Sequence, residues 1–255
     1  MTKTDSQPVA PDAVRVWRGF SALPIDQFYS KLGAVFIPAT VKMQIEAGLN
    51  SYTPSVPGGL TGKPAGVPDE TAILFWESPA TYWNGFTRLA VRTYTLTHGG
   101  VYVTANQASR ADFPVFFSGA LASNQPVFLF NKPADWMHGT IQHFVAARPD
   151  AMNPAQFHSA VASVLGEIQA KSPLDGAVAC VGDDYLVYWE LGPLAPGVQT
   201  PPSGIPLLQA ALNAWSHVFS PAPTFLPIGL WDEWAGMDVC AGSSFNMQFE
   251  RQSSR

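Results

Sequence analysis

Apolar and polar positions along the chain switch between two periods, and the switches outline the elements. Val14-Arg15-Val16-Trp17-Arg18 alternates with period two, as a half-buried strand does. Pro24 suits the first turn of a helix, and Phe28, Leu32, Val35 and Phe36 then recur at helical spacing from Ile25 onward. Pro38 lacks an N–H and should kink or end that helix. Residues 53–69, rich in Pro and Gly, read as a 17-residue loop, a length typical of lids and binding loops. The apolar run Ala72–Trp76 predicts a buried strand. Ser78-Pro79 then caps and opens a helix that reaches about His98, where Gly99-Gly100 stops it.

The second half follows a similar course. Pro126–Phe130 reads as a strand. Asn153-Pro154 starts a helix whose residues Phe157, Val161, Leu165 and Ile168 share one face. Gly176–Val181 and Tyr185–Trp189 read as a hairpin through Gly182-Asp183-Asp184. A Pro-rich linker over 191–204 leads to a helix with Ile205, Leu208, Leu212 and Trp215 on one face. Strands near Phe225–Leu230 and Phe245–Phe249 complete the order.

The two halves match in kind. Ile73-Leu74-Phe75-Trp76-Glu77 corresponds to Leu186-Val187-Tyr188-Trp189-Glu190, and each strand precedes a helix expected to end near a histidine, His98 or His217. The order β-α-β-β-α-β, twice over, predicts an α+β fold of two fused ferredoxin-like repeats with antiparallel sheets packed face to face around an apolar cavity. The expected organisation is a disordered tail over 1–13, repeats over 14–124 and 125–250, and a second tail over 251–255. Over 14–250 the pattern resembles a tandem form of the dimeric α+β barrel superfamily. That superfamily includes cofactor-free monooxygenases, cyclases, isomerases and, in tandem form, haem proteins. The resemblance implies either cofactor-independent chemistry or, alternatively, a haem held by His143 or His217.

Composition narrows the partners. Charged residues make up 13% of the chain, against about 25% in an ordinary soluble domain. The net charge is −5, and no three basic residues stand in a row, so nucleic acid is disfavoured as a partner. The longest apolar stretch, Leu32–Val41, is half the length a membrane span needs. Two cysteines give no disulfide framework. A cytoplasmic protein able to form a homo-oligomer is the expectation. No phosphate-loop, GxGxxG, GxSxG, HExxH or CxxC motif is present. Gly58-Gly59-Leu60-Thr61-Gly62-Lys63-Pro64 fails as a phosphate loop because Pro64 replaces the required Ser or Thr.

The scarce polar groups supply the candidate site. Glu77 and Glu190 end apolar strand faces, where partial desolvation would lift their pKa values toward the range of acid–base catalysis. His98 and His217, at expected helix ends, are candidate partners, with the helix dipole favouring the imidazolium. Arg88 and Arg92 share one helix face and suit an anionic substrate. Trp76 and Trp189 are candidate stacking surfaces, beside a core role shared with Trp83 and Trp215. His138 is a lone metal or haem candidate, His158 a surface residue, and Asp232-Glu233 a strand-end pair. Together these predict a soluble small-molecule enzyme performing isomerase-, cyclase-, lyase- or oxygenase-type chemistry on a hydrophobic or aromatic substrate. A haem protein and a non-catalytic binding or scaffold protein are the alternatives.

Overall fold

The structure, a computed structural model, describes residues 10–45, 47–105, 108–137, 139–192, 203–221, 223–227 and 236–250. It is α+β, with two six-stranded sheets, each belonging to one compact unit. The first unit comprises 15–61, 68–111 and 222–255, and the second 1–14, 62–67 and 112–221. These boundaries differ from the expected 14–124 and 125–250. The last strand pairs with β2 of the first unit and the strand before it pairs with the last, so the chain's final segment returns to its opening one.

In the first unit the chain runs β1 (Val14–Gly19), α1 (Ile25–Lys31), α2 (Ile37–Ile45), β2 (Leu49–Ser55), β3 (Glu70–Trp76), α3 (Pro79–Gly85), α4 (Leu89–Thr97) and β4 (Arg110–Asp112). It closes with β11 (Pro223–Pro227) and β12 (Asn246–Glu250), giving a sheet ordered β11-β12-β2-β3-β1-β4. Pro38 does not end the first helix, contrary to expectation. A π-helical stretch, Leu32–Phe36, joins α1 to α2, and the Ile37 N–H donates to the Leu32 carbonyl. The wider turn absorbs the donor that proline lacks, so the rod continues with Phe36, Ile37, Thr40 and Val41 buried. Gly33 is required within it, because a Cβ there would lie 2.1 Å from the Met237 carbonyl.

Ser78 caps α3 as expected, accepting from the Thr81 N–H at 3.0 Å. The helix predicted to reach His98 is two helices, however. Asn84-Gly85, poor helix formers, end the first, and a turn through Arg88 starts the second. The loop after β2 begins at Val56 rather than at 53, and the Gly58 N–H to Asp69 carbonyl bond and the Tyr29 hydroxyl to Gly58 carbonyl bond pin it.

The second unit runs β5 (Val115–Phe116), β6 (Val127–Phe128), β7 (Thr140–Ala147), α5 (Pro154–Lys171), β8 (Gly176–Val181), β9 (Tyr185–Gly192), α6 (Ile205–Leu212) and β10 (Ser216–Phe219), with sheet order β10-β7-β9-β8-β6-β5. Asn153 and Gln156 form a reciprocal capping box on α5. The α5 stripe Phe157, Val161, Leu165 and Ile168 packs on Leu186 and Tyr188 of β9 and on Leu208 and Leu212 of α6 in one continuous core. Asn213 adopts a left-handed conformation (φ 45°) and ends α6, so Trp215 lies beyond the helix and His217 on β10 opposite Val145. The expected helix-end placement of His217 is thereby corrected.

The five-residue match between halves does not superpose face on face. On β3 the helix-facing side chains include Leu74 and Trp76; on β9 they are Leu186 and Tyr188. A one-residue offset puts Trp76 toward helices and Trp189 on the opposite side of its sheet. No helix among the described residues is long and apolar enough to cross a membrane.

Candidate active site

The helix-facing side of the first sheet is built from rings. Strand alternation sends Trp17 of β1, Tyr52 of β2 and Trp76 of β3 to that side. Phe36, Tyr94 and His98 face them from the π stretch, α4 and the turn after it. Between these rings lies a cavity of about 310 Å³. That is at the lower end of the size of ligand pockets, roughly 300–1,000 Å³, and leaves room for a one- or two-ring molecule. Tyr82 and Phe86 extend the aromatic wall, and Arg15, Arg110 and Gln44 are its most polar members.

Its electrostatics are specific. The Arg15 guanidinium lies over the Tyr82 ring at 4.0 Å and donates to the Ala111 carbonyl at 2.6 Å, which fixes one positive charge at the wall. His98 is packed edge-on against Trp17, Phe36 and Tyr94 at 5.2, 5.0 and 4.9 Å. Burial lowers its pKa from the ordinary 6.5; hydrogen bonds to the Thr95 and Tyr94 carbonyls oppose the fall, and Arg15 adds to it. The imidazole is therefore neutral near pH 7, not the dipole-stabilised imidazolium expected from a helix end. Its Nδ1 lies 3.0 Å from the Thr95 carbonyl oxygen, which only an N–H can satisfy. The lone pair is thus at Nε2.

Beneath the rings lies Glu70, the first residue of β3 and fully buried. Three donors converge on it: the Tyr52 hydroxyl at 2.7 Å, the Trp17 Nε1–H at 2.7 Å and the Tyr102 hydroxyl. Burial raises its pKa above 4.5 while these three bonds oppose the rise. Burial also raises Tyr52 and Tyr102, so both stay protonated as donors. Two wall atoms, Trp76 Nε1 and Gln44 Oε1, are buried with no hydrogen-bond partner among the described residues. An unmet buried donor or acceptor costs roughly 1–3 kcal/mol unless something meets it.

Of the residues expected from the sequence, His98 and Trp76 meet in this cavity. Glu77, just past the end of β3, is exposed, so the expected desolvation does not occur there. Arg88, just before α4, and Arg92 on it are exposed and do not line the cavity. Glu190 and Trp189 belong to the second unit. Glu190 is 1% exposed, its pKa raised by burial, and it accepts from the Tyr188 hydroxyl at 3.0 Å and the Gly204 N–H at 2.8 Å, tying α6 to the sheet. Trp189 stacks on His143 at 4.2 Å with 5° between planes, and Phe219 lies 5.4 Å from His143 at 15°.

That stack bears on haem. His143 is fully buried between two rings, and its Nδ1 lies 3.0 Å from the Tyr188 carbonyl oxygen. A porphyrin has no room there. His217 sits edge-on to Phe219 on an edge strand, its pKa lowered by burial, with no described cavity beside it. The residues do not fit haem, and no step is derived through it. Among the described residues no cluster of three or more His, Cys, Asp or Glu could hold a metal. His158 directs Nε2 at the Gly182 carbonyl, a surface structural role. His138 and Asp232-Glu233 lie outside the described residues.

Glu70, Tyr52, Tyr94, Gln44, Arg15 and Arg110 escape the sequence reading. The signal for Glu70 is present: Glu70, Ala72, Leu74 and Trp76 alternate on one face once the strand is extended two residues upstream.

No family model and no curated protein matches the chain. Among solved structures, a "putative monooxygenase" from Lactobacillus acidophilus NCFM is 8% identical, with a TM-score of 0.33, over 84% of this chain and 92% of that one. A second, also titled a "putative monooxygenase" and from Fusobacterium nucleatum, is 8% identical, with a TM-score of 0.34, over 80% and 88%.

Proposed function

We propose that the first unit is an acid–base enzyme acting on a small aromatic or hydrophobic molecule held in the 310 Å³ cavity. The carrying observation is a ring-lined cavity whose wall combines a neutral imidazole, a fixed positive charge and two buried polar atoms without partners. Aromatic walls favour a flat apolar body by stacking. Trp76 Nε1–H and Gln44 Oε1 suit an acceptor and a donor on its edge. His98 Nε2 serves as general base, and Arg15 and Arg110 favour the negative charge that proton removal creates. The chemistry is of the isomerase, lyase, cyclase or cofactor-free oxygenase kind, each of which can begin with such a removal. The strand order β2-β3-β1-β4, and β8-β9-β7-β10 in the second unit, supports reading each unit as an elaborated ferredoxin-like fold.

The test is native mass spectrometry of freshly purified protein for a copurified ligand, followed by calorimetric titration with 1-naphthol. Saturable binding is expected in the wild type, and Leu74→Trp, which fills the cavity, should weaken it at least tenfold, about 1.4 kcal/mol. Absence of binding by any one- or two-ring probe, or unchanged binding to Leu74→Trp, contradicts the proposal.

A further inference from the structure

Glu70 is the one fully buried carboxyl of the first unit's core among the described residues, and nothing in its immediate hydrogen bonding neutralises it by charge. Three neutral donors meet it instead. A carboxylate in that setting is a strong proton acceptor, because desolvation disfavours its charge. Two of the donors, Trp17 and Tyr52, are also cavity wall. The indole N–H of Trp17 can only donate, so it holds the carboxylate in place. The Tyr52 hydroxyl both donates and accepts. It joins the cavity wall to Glu70, and it is also hydrogen-bonded to Thr40, which reaches the Tyr94 hydroxyl of the same wall.

We infer that Tyr52 and Glu70 form a proton relay, so that a ligand with an acidic hydroxyl, a phenol or enol, is deprotonated in the cavity with its proton stored on Glu70. The ligand O–H breaks as Tyr52 Oη takes the proton, and the tyrosine's own proton moves along its 2.7 Å hydrogen bond to Glu70 Oε1. The products are a bound phenolate or enolate, a neutral tyrosine and a neutral carboxylic acid. No electron changes hands and no proton enters solvent. The remaining Glu70 donors, Trp17 and Tyr102, keep their places. The titratable and charged groups around the relay are Tyr94 and His98 from α4 and its end, Tyr82 from α3, Arg15 from β1 and Arg110 from β4. Thr40 of α2 joins them, its Oγ1 2.7 Å from the Tyr94 hydroxyl. The two arginines favour the anion left behind, and the raised proton affinity of Glu70 favours the far end of the relay.

The inference rests on the cavity reading above and adds a substrate class to it, with His98 delivering or removing a second proton elsewhere on the ligand. The test uses 4-nitrophenol, whose phenolate band reports its ionisation, with quenching of tryptophan fluorescence reporting binding. In the wild type the bound probe should show the phenolate band at least one pH unit below the free probe, a tenfold displacement of its ionisation. Glu70→Gln should bind the probe yet return the band to the free probe's titration. Simple electrostatics predicts the reverse, since removing a negative charge should favour phenolate. Tyr52→Phe should behave as Glu70→Gln does, and supplies the test should the glutamine variant not fold. Quenching without a displaced band in the wild type, or a displaced band that survives both Glu70→Gln and Tyr52→Phe, overturns the relay. Absence of quenching overturns the cavity reading instead.

Discussion

The two units share a strand order and differ in what covers the helix-facing side of the sheet. In the second unit that side carries Phe144, Ala146, Leu186 and Tyr188, which pack with α5 and α6. In the first it carries Trp17, Tyr52 and Trp76 against Phe36, Tyr94 and His98, and the rings enclose space. Each sheet also buries one glutamate whose pKa burial raises. Glu190 meets a tyrosine hydroxyl and a helix N-terminus, whereas Glu70 meets two tyrosines and a tryptophan, two of them cavity wall. Among the described residues, unpartnered buried atoms occur in both units, Trp189 Nε1 and Glu190 Oε1 in the second and, in the first, Trp76 Nε1 and Gln44 Oε1, whose residues line the 310 Å³ cavity. With a similar strand order, the helix-facing side is a packed core in the second unit and borders a cavity in the first.

The sharpest break of this contrast is a pair of truncations. Leu165→Ala, in the closed core of the second unit, should cost about 2–5 kcal/mol in urea unfolding. Leu74→Ala, at a wall that already borders space, should cost less than about 1.5 kcal/mol. Equal losses would deny the difference in packing.

A second contrast is acid sensitivity. Burial pushes His143 down from 6.5 to about 3. The unfolded chain takes up its proton below pH 6.5 while the folded one does not until about pH 3, so this contribution to stability is complete above 6.5 and is lost as pH falls between the two values. His143→Phe, which keeps the ring stack, should remove up to about 1.4 kcal/mol per pH unit of that slope. Glu70 and Glu190, with raised values, act in the opposite sense and cancel when the two proteins are compared. Unfolding curves between pH 3 and 7 decide it; parallel slopes would contradict the buried, neutral imidazole.

The smallest effect concerns α5 alone. Gly166 lies within that helix with nothing within 4 Å of an added Cβ, so Gly166→Ala should stabilise by about 0.5–1 kcal/mol. A loss would mean that α5 packs more closely than described.

Much of the element order is legible in the chain because caps and periods act locally: Ser78-Pro79, Asn153-Pro154 and the β8–β9 hairpin stand where their residues predict. Pro38 misleads because a π-helical turn answers its missing donor, a remedy invisible to a period of 3.6. His217 misleads because the helix stops at Asn213, whose left-handed backbone comes without a glycine to announce it. The site is less legible still. Glu77 catches the eye at the end of an apolar run, yet the buried carboxyl opens the same strand, where Glu70-Thr71 fall between the expected loop over 53–69 and the expected strand from Ala72. What makes Glu70 special is the convergence of Trp17, Tyr52 and Tyr102 from separate elements, and no local window contains that. His98 and Trp76 are found for partly different reasons, since helix-end capping and core packing each lead to the cavity wall.

The central claim, that the aromatic cavity of the first unit holds a ligand, is tested most directly by a crystal structure of the protein soaked with 4-nitrophenol. The expected result is the probe between Trp76 and Tyr94 with its oxygen against Tyr52, and no probe beside His143 and Trp189. Density in the second unit alone, or a cavity left empty at saturating probe, would contradict it.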